Sequence, residues 1–231
     1  MINSAQIINV GHSHLGQPIT SWQFGPKSIG GVLIFGNVHG DEVESFWLIN
    51  SFLKKLTSGE IKSDFKAPLQ IIPCMNPDGM TLNTRCNANG VDLNRNMPTS
   101  NWQPTSTDPR YPPGPSAGSE LETQHLVELI KKSQPKVVVS LHSFKEEMVI
   151  FPVNEISSRF KNGVDAYAAN FGIRVVEKMD YKIFGNLSIY GADNKFATIT
   201  IELLKGLDRN SVVEKYSGSF EKLVAHLASS L

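Results

Sequence analysis

Short apolar runs alternate with longer amphipathic stretches along the first half of the chain. Residues 32–35 are four consecutive apolar residues, and residues 137–141 form a similar run, while residues 68–74 are another strand candidate. Continuous runs of this length predict strands that are buried on both faces. Residues 41–57 instead place apolar side chains on one broad face and stop at a Ser-Gly pair. This second pattern predicts an amphipathic helix.

The second half of the chain continues the alternation. Its predicted strands lie near 147–151 and 173–177 and over 197–203, and its predicted helices cover 119–132, 158–170 and about 210–229. Strands that alternate with helices indicate an α/β domain. We therefore expect a single-domain α/β fold over residues 1–231, with a mixed, largely parallel sheet and helices on both faces.

Residues 76–118 show almost no hydrophobic periodicity and are rich in Asn, Pro, Gly, Ser and Thr. A loop of this length within one domain usually carries function or is disordered. Other candidate side chains follow predicted strands, namely His39, His142 and Glu202. In open α/β sheets, ligands bind beyond the carboxyl ends of the strands, so these positions are where a site is expected.

The composition excludes several functions. The 231 residues contain 22 Lys+Arg and 22 Asp+Glu, and the formal net charge is therefore +0. This balance argues against bulk electrostatic binding to nucleic acid or to an anionic membrane. No apolar run approaches the roughly 18 residues of a membrane span, and the first residues lack the pattern of a secretory signal. With Cys74 and Cys86 expected as free thiols, we expect a cytoplasmic protein.

Two histidines and a glutamate have the spacing of a metal site. His39 and Glu42 are three residues apart at the predicted start of a helix, so their side chains can converge. His142 would add a distant third ligand, and two His with one Glu is a common catalytic zinc arrangement. The alternative is structural, with a helix N-terminus that carries a favourable acid and a histidine that merely ends a strand.

Four further polar groups add candidate chemistry. Arg85, Asn94 and Arg95 lie in the Gly/Asn-rich loop, and arginine forks suit the recognition of carboxylates and carbonyls. Asp92 can accept the outer N–H of a metal-binding histidine. A solvated loop is the alternative for all four residues.

Glu202 interrupts the apolar strand ATITIELL. A carboxylate there is costly to bury unless it is paired or functional. Beside an activated water it would serve as a general base and then as a general acid. Exposure at the end of the strand is the alternative explanation.

Taken in order, six segments resemble the carboxypeptidase A-like family of zinc peptidases. They are HGDE, NPDG, Arg85, VDLNRN, SLHS and ITIEL, and the likeness spans about residues 9–204. The stretches RCNANGVDLNRN and GSELETQHL further resemble bacterial members that hydrolyse the amide between γ-D-Glu and meso-diaminopimelate in the murein tripeptide. The resemblance therefore implies a peptide hydrolase that takes part in recycling of cell-wall peptides.

The resemblance also implies a role for each matching residue at the reacting bond. One Zn²⁺ per chain would be held by His39, Glu42 and His142. Glu202 matches the catalytic glutamate that works with a zinc-activated water, and Arg85 matches the arginine that polarises the scissile carbonyl.

Four other residues match positions that serve the substrate or the ligands. Asn94 and Arg95 correspond to the pair that holds the terminal carboxylate of the substrate. Asp92 corresponds to the carboxylate behind the first histidine, and Tyr181 to a mobile tyrosine that caps the site. The implied partner is a small peptide with a free carboxylate, and the chain is expected to act as a monomer or homodimer.

Three other functions stay open at this point. They are a general zinc carboxypeptidase, a zinc deacylase of the aspartoacylase or succinylglutamate-desuccinylase type, and a peptidase-like fold that is kept for binding. The intact NPDG and NRN segments favour a peptidase over a deacylase. A binding protein would be expected to have lost a metal ligand or the glutamate, and neither is lost here.

Overall fold

The centre of the molecule is one mixed sheet, seen in a computed structural model that describes residues 5–62, 65–178 and 183–231. Within these ranges the sheet has eight strands. The strands are β1 (Gln6–His12), β2 (Pro18–Phe24), β3 (Val32–Gly36), β4 (Leu69–Ile72), β5 (Val137–Phe144), β6 (Met148–Ile150), β7 (Arg174–Val176) and β8 (Ala197–Leu204).

The strand order is β1-β2-β4-β3-β5-β8-β6-β7. The four central strands, β4, β3, β5 and β8, run parallel to one another, and β6 and β7 form a further parallel pair. Antiparallel pairing joins β1 to β2, β2 to β4, and β8 to β6. Four of these seven pairings are parallel, which confirms the predicted mixed, largely parallel sheet.

Helices cover both faces of the sheet, as predicted. They are α1 (Val43–Ser58), α2 (Pro77–Leu82), α3 (Leu121–Ser133), α4 (Lys161–Ala169), α5 (Leu187–Asn194) and α6 (Arg209–Ser229). Buried side chains of α1, α4 and α6 pack on one face of the sheet, and those of α3 and α5 pack on the other. No helix in the described part of the chain combines the length and hydropathy needed to cross a bilayer.

Successive side chains of β3 point alternately into two hydrophobic cores, one on each face of the sheet. Ile34 belongs to the core that contains Leu48 of α1 and Phe220 of α6. Leu33 belongs to the opposite core with Leu126 of α3. Because successive side chains of a strand point to opposite faces, a strand between two helical layers is apolar at most positions on both faces. This is why the continuous apolar run predicted the strand correctly.

Four elements were not predicted, namely β1, β2, α2 and α5. The β1–β2 hairpin lies at an edge of the sheet, and every residue of β1 is at least partly exposed, so it has no clear apolar pattern. Helix α2 has six residues and lies within the long loop. Helix α5 has eight residues, with apolar and small residues spread around it. Elements this short carry too few apolar positions to show a period.

Both cysteines are free thiols, as predicted. Burial raises the pKa of Cys74 to about 12, so this thiol stays protonated at neutral pH. A protonated thiol is a poor nucleophile and a poor metal ligand. Cys74 therefore has a packing role.

Candidate active site

The candidate residues meet beyond the carboxyl ends of the central strands, where the sequence placed the site. His39 follows β3, His142 lies on β5, and Glu202 lies on β8. All three line a cleft of about 1030 Å³ together with Arg85 and Arg95 from the long loop. A cleft of this size can hold a small peptide.

His39, Glu42 and His142 form a buried cluster that can hold a metal ion. His39 Nδ1 is 2.9 Å from Glu42 Oε1, His142 Nδ1 is 2.9 Å from Glu42 Oε2, and the two Nδ1 atoms are 3.2 Å apart. Tetrahedral zinc, with bonds of about 2.0–2.1 Å to nitrogen, separates its ligand atoms by about 3.3 Å. The three side chains therefore fit a zinc ion with little rearrangement.

The charges around the cluster favour a cation. Burial by itself lowers the pKa of His39, but the carboxylates of Glu42 and Asp92 outweigh it and raise that pKa to about 9. Burial also opposes ionisation of Glu42, yet His39 and His142 hold its pKa well below the usual range. Two carboxylates that stabilise a proton at this point would stabilise a metal cation in the same way.

A tight turn, rather than the helix itself, brings His39 and Glu42 together. Helix α1 begins at Val43, two residues later than predicted, and Glu42 occupies the position before it. The backbone N–H of Glu42 donates to the His39 carbonyl (3.2 Å). Asn37, at a positive φ of 54°, donates its side-chain N–H to that same carbonyl (2.6 Å). The pair therefore converges through a hydrogen-bonded turn.

Asp92 connects the metal cluster to the long loop. Its Oδ1 atom is 3.2 Å from His39 Nε2, and Arg85 Nε donates to its Oδ2 atom at 3.0 Å. The backbone N–H of Asn94 also donates to Oδ1, at 2.9 Å. Although burial alone raises the pKa of Asp92, the cationic neighbours lower it below its usual range. Asp92 thus contacts both the His39 ring and the Arg85 guanidinium.

The NPDG segment, residues 76–79, packs against the turn that carries His39 and Glu42. Asn76 caps α2 by accepting the Gly79 N–H (2.9 Å) and donates its side-chain N–H to the Val38 carbonyl (3.0 Å). Gly40 lies so close to Gly79 that a Cβ on it would overlap the Gly79 carbonyl group. Because only glycine tolerates this approach, the HGDE and NPDG segments are packed together through their glycines.

Arg85 and Arg95 stack against the same aromatic ring. Their guanidinium carbons lie 4.9 Å and 4.8 Å from the ring centroid of Tyr111. Arg95 also donates to the Asn94 carbonyl (2.8 Å), while the Asn94 side-chain oxygen accepts the Leu187 N–H (3.3 Å). No described carboxylate forms an ion pair with Arg95, so this guanidinium can bind an incoming carboxylate.

Glu202 stands beside the metal cluster. It is paired in register with His142 on the neighbouring strand, so both side chains project from the same face of the sheet. Glu202 is only partly exposed, and burial raises the pKa of its carboxyl. A positioned carboxyl group with a raised pKa is suited to proton transfer in general acid–base catalysis.

Tyr181, the expected capping residue, lies outside the described residues. Two residues that the sequence did not single out do contact the site. Tyr111 supports the arginines, and Glu44 accepts hydrogen bonds from the Ser143 hydroxyl and the Gly206 N–H, both at 2.6 Å. An acid in the first turn of an apolar helix was the available signal for Glu44. Tyr111 carried no comparable signal, because its partners come from elsewhere in the loop.

Comparison with known proteins identifies the class that this fold and site define. A family model described as zinc carboxypeptidase matches residues 3–198. The chain belongs to the zinc carboxypeptidase family and is a metallopeptidase, a hydrolase that acts on peptides. The family's cofactor is zinc, in agreement with the buried His-Glu-His cluster.

Within this family, the chain is similar to bacterial murein peptide amidases. It is 30% identical over 227 residues to murein peptide amidase A of Vibrio campbellii. The aligned region covers 94% of this chain and 86% of the relative. It is 32% identical to the Escherichia coli K12 protein of the same name, over 89% of this chain and 84% of that protein.

Solved structures show the same likeness. The murein-tripeptide amidase of Escherichia coli O157 superposes with a TM-score of 0.74 at 29% identity, over 94% of this chain and 91% of that one. The carboxypeptidase A of Helicoverpa armigera superposes with a TM-score of 0.81 at 18% identity, over 98% of this chain and 69% of that one. At 18% identity, this second match establishes the shared fold alone.

The geometry of the cluster predicts the effect of removing one ligand. We expect His142→Ala to lose most of its bound zinc, because catalytic zinc sites rely on three protein ligands and only two would remain. Metal analysis by mass spectrometry after dialysis measures this loss. The matched control is His14→Ala, which removes an exposed histidine and should retain zinc. Full zinc content and normal activity in His142→Ala would contradict the ligand assignment.

The stacking of two arginines on one ring predicts a role for Tyr111. Each of the two cation–π contacts contributes about 0.5–1 kcal/mol, so Tyr111→Leu should lower kcat/KM on a peptide with a free carboxylate by about 5- to 30-fold. Tyr111→Phe keeps the ring and should remain close to the unsubstituted enzyme. Equal losses in the two variants would show that the hydroxyl, rather than the ring, is required.

Proposed function

We propose that the chain hydrolyses the amide between γ-D-Glu and meso-diaminopimelate in the murein tripeptide L-Ala-γ-D-Glu-meso-diaminopimelate. The observation that carries this proposal is the likeness to murein peptide amidases, at 30–32% identity over about nine tenths of the chain. The cleft supports it, because the guanidinium of Arg95, which has no ion pair among the described residues, lines the same cleft as a cluster that can hold zinc.

In the proposed reaction, His39, Glu42 and His142 hold one zinc ion. When bound, zinc supplies a Lewis acid that polarises a carbonyl and lowers the pKa of water. The side chain of Glu202 accepts a proton from the attacking water and delivers it to the departing amine. Arg85 donates hydrogen bonds to the oxygen of the scissile carbonyl, where negative charge develops.

The remaining site residues orient the substrate and the catalytic groups. In this proposal Asn94 and Arg95 bind the carboxylate of the departing amino acid, since a guanidinium fork matches a carboxylate. Asp92 holds His39 and Arg85 in place, and Tyr181 closes over the bound peptide. The same proposal includes one catalytic domain over residues 1–231, which acts in the cytoplasm as a monomer or homodimer in the recycling of cell-wall peptides.

The proposed role of Glu202 predicts a loss of turnover without a loss of metal. Glu202→Gln should lower kcat by about 10²–10⁴-fold, because this is what a positioned proton-transfer group contributes. Steady-state kinetics and metal analysis on the same preparation measure both properties. An increase in KM with unchanged kcat would instead assign Glu202 a role in binding.

The substrate is tested by analysis of the products. The zinc-loaded protein is expected to convert the tripeptide into free diaminopimelate and the dipeptide L-Ala-D-Glu, which mass spectrometry identifies. The comparison substrates are α-linked peptides of similar length, N-acetylaspartate and N-succinylglutamate. Cleavage of α-linked peptides alone would replace the amidase with a general carboxypeptidase. Cleavage of the N-acylated amino acids alone would indicate a deacylase.

A further inference from the structure

Four side chains on neighbouring strands form a row across the sheet, on the side of the cleft. His142 on β5 is paired with Glu202 on β8, Glu202 with Met148 on β6, and Met148 with Arg174 on β7. Paired residues on adjacent strands project from the same face, and all four residues line the cleft. The row therefore leads from the metal cluster to the guanidinium of Arg174.

The row spans the length of a side chain and has an apolar floor. Arg174 lies two strand spacings from Glu202, which is about 10 Å. Met148 lies between them. Two residues further along the same pair of strands, Ile150 is paired with Thr200. These three residues also line the cleft. This part of the cleft is thus a groove that suits a chain of methylene groups.

The far end of this groove carries charges of both signs. Arg174 Nη2 is 3.9 Å from Glu146 Oε2, and the two side chains are 62% and 59% exposed. At 3.9 Å this contact is longer than a hydrogen bond, so both groups still have donors or acceptors for a ligand. Arg174 Nη2 also lies 3.9 Å from Met148 Sδ, which places its guanidinium over the apolar floor.

The direction of the substrate follows from the proposed function, on which this inference rests. Asn94 and Arg95 would hold the carboxylate of the departing residue, and Glu202 would face its amine. The wall formed by Arg85 and Tyr111 is then left for the acyl part of the substrate. The groove from Glu202 toward Arg174 is then open to the side chain of the departing residue.

We propose that Arg174 and Glu146 bind the far end of the departing residue's side chain. They select a side chain that ends in a carboxylate and an ammonium on one carbon, after a short run of methylene groups. Arg174 binds the carboxylate through its guanidinium fork, and Glu146 binds the ammonium. The side chain of meso-diaminopimelate has this structure, whereas that of lysine carries the ammonium alone.

The test compares three tripeptides that differ only in the last residue, which is meso-diaminopimelate, L-lysine or L-norleucine. The unsubstituted enzyme should show the highest kcat/KM on the diaminopimelate peptide. Arg174→Gln should lower this value about 10-fold and leave the lysine and norleucine peptides unchanged, because only diaminopimelate loses a charge-assisted contact. Glu146→Gln should lower the values for diaminopimelate and lysine and spare norleucine.

The matched controls are Lys161→Gln and Asp165→Asn. These residues form an exposed ion pair of 2.7 Å on α4, outside the residues that line the cleft. Neither control should change the ratios among the three peptides. The inference is overturned if Arg174→Gln lowers all three values equally, or if the ratio of diaminopimelate to lysine is the same in the variant and the unsubstituted enzyme.

A second substrate series separates this inference from the proposed function. The same three residues are placed at the end of α-linked benzoyl-glycyl peptides, and kcat/KM is measured again. If γ-linked tripeptides resist cleavage but the α-linked ratios respond to Arg174→Gln, the proposed function is wrong and the inference holds. If the tripeptide is cleaved but neither series responds, the function stands and Arg174 does not read the side chain.

Discussion

The buried carboxylate of Asp92 is the interaction on which the site depends. It is fully excluded from solvent and is contacted by the His39 ring, the Arg85 guanidinium and the Asn94 backbone N–H. A buried charge is costly unless each of its acceptors has a partner, and these contacts offset that cost. One side chain therefore sets the relative positions of a candidate metal ligand, a carbonyl-directed arginine and the residues that would bind a carboxylate.

The sheet below the site provides a rigid base for this arrangement. The strands that carry or precede His39, His142 and Glu202 are parallel and packed between two helical layers. Their shared edge presents the three groups together, and the contact between Gly40 and Gly79 brings the long loop against it. Apolar pattern and packing, rather than particular side chains, specify a base of this kind.

The cleft has two walls of different charge. Arg85 and Arg95 around Tyr111 make one wall cationic, whereas Arg174 and Glu146 give the other wall both signs. The chain as a whole has a formal net charge of +0, so long-range steering contributes little to substrate choice. Selection among substrates must therefore come from charges placed at short distances within the cleft.

The sequence by itself determined the central strands, the main helices and the edge of the sheet at which His39, Glu42, His142 and Glu202 were expected to meet. It could do so because buried parallel strands are apolar throughout, and because side chains that follow such strands meet at one edge of a sheet. Only the tertiary structure decided the β1–β2 hairpin, helix α5, the stacking on Tyr111 and the row that ends at Arg174. The hairpin lies at an exposed edge of the sheet and α5 has only eight residues, so neither carries a clear apolar period. The stacking and the row join residues far apart in the chain, which leaves no periodic signal in the local sequence.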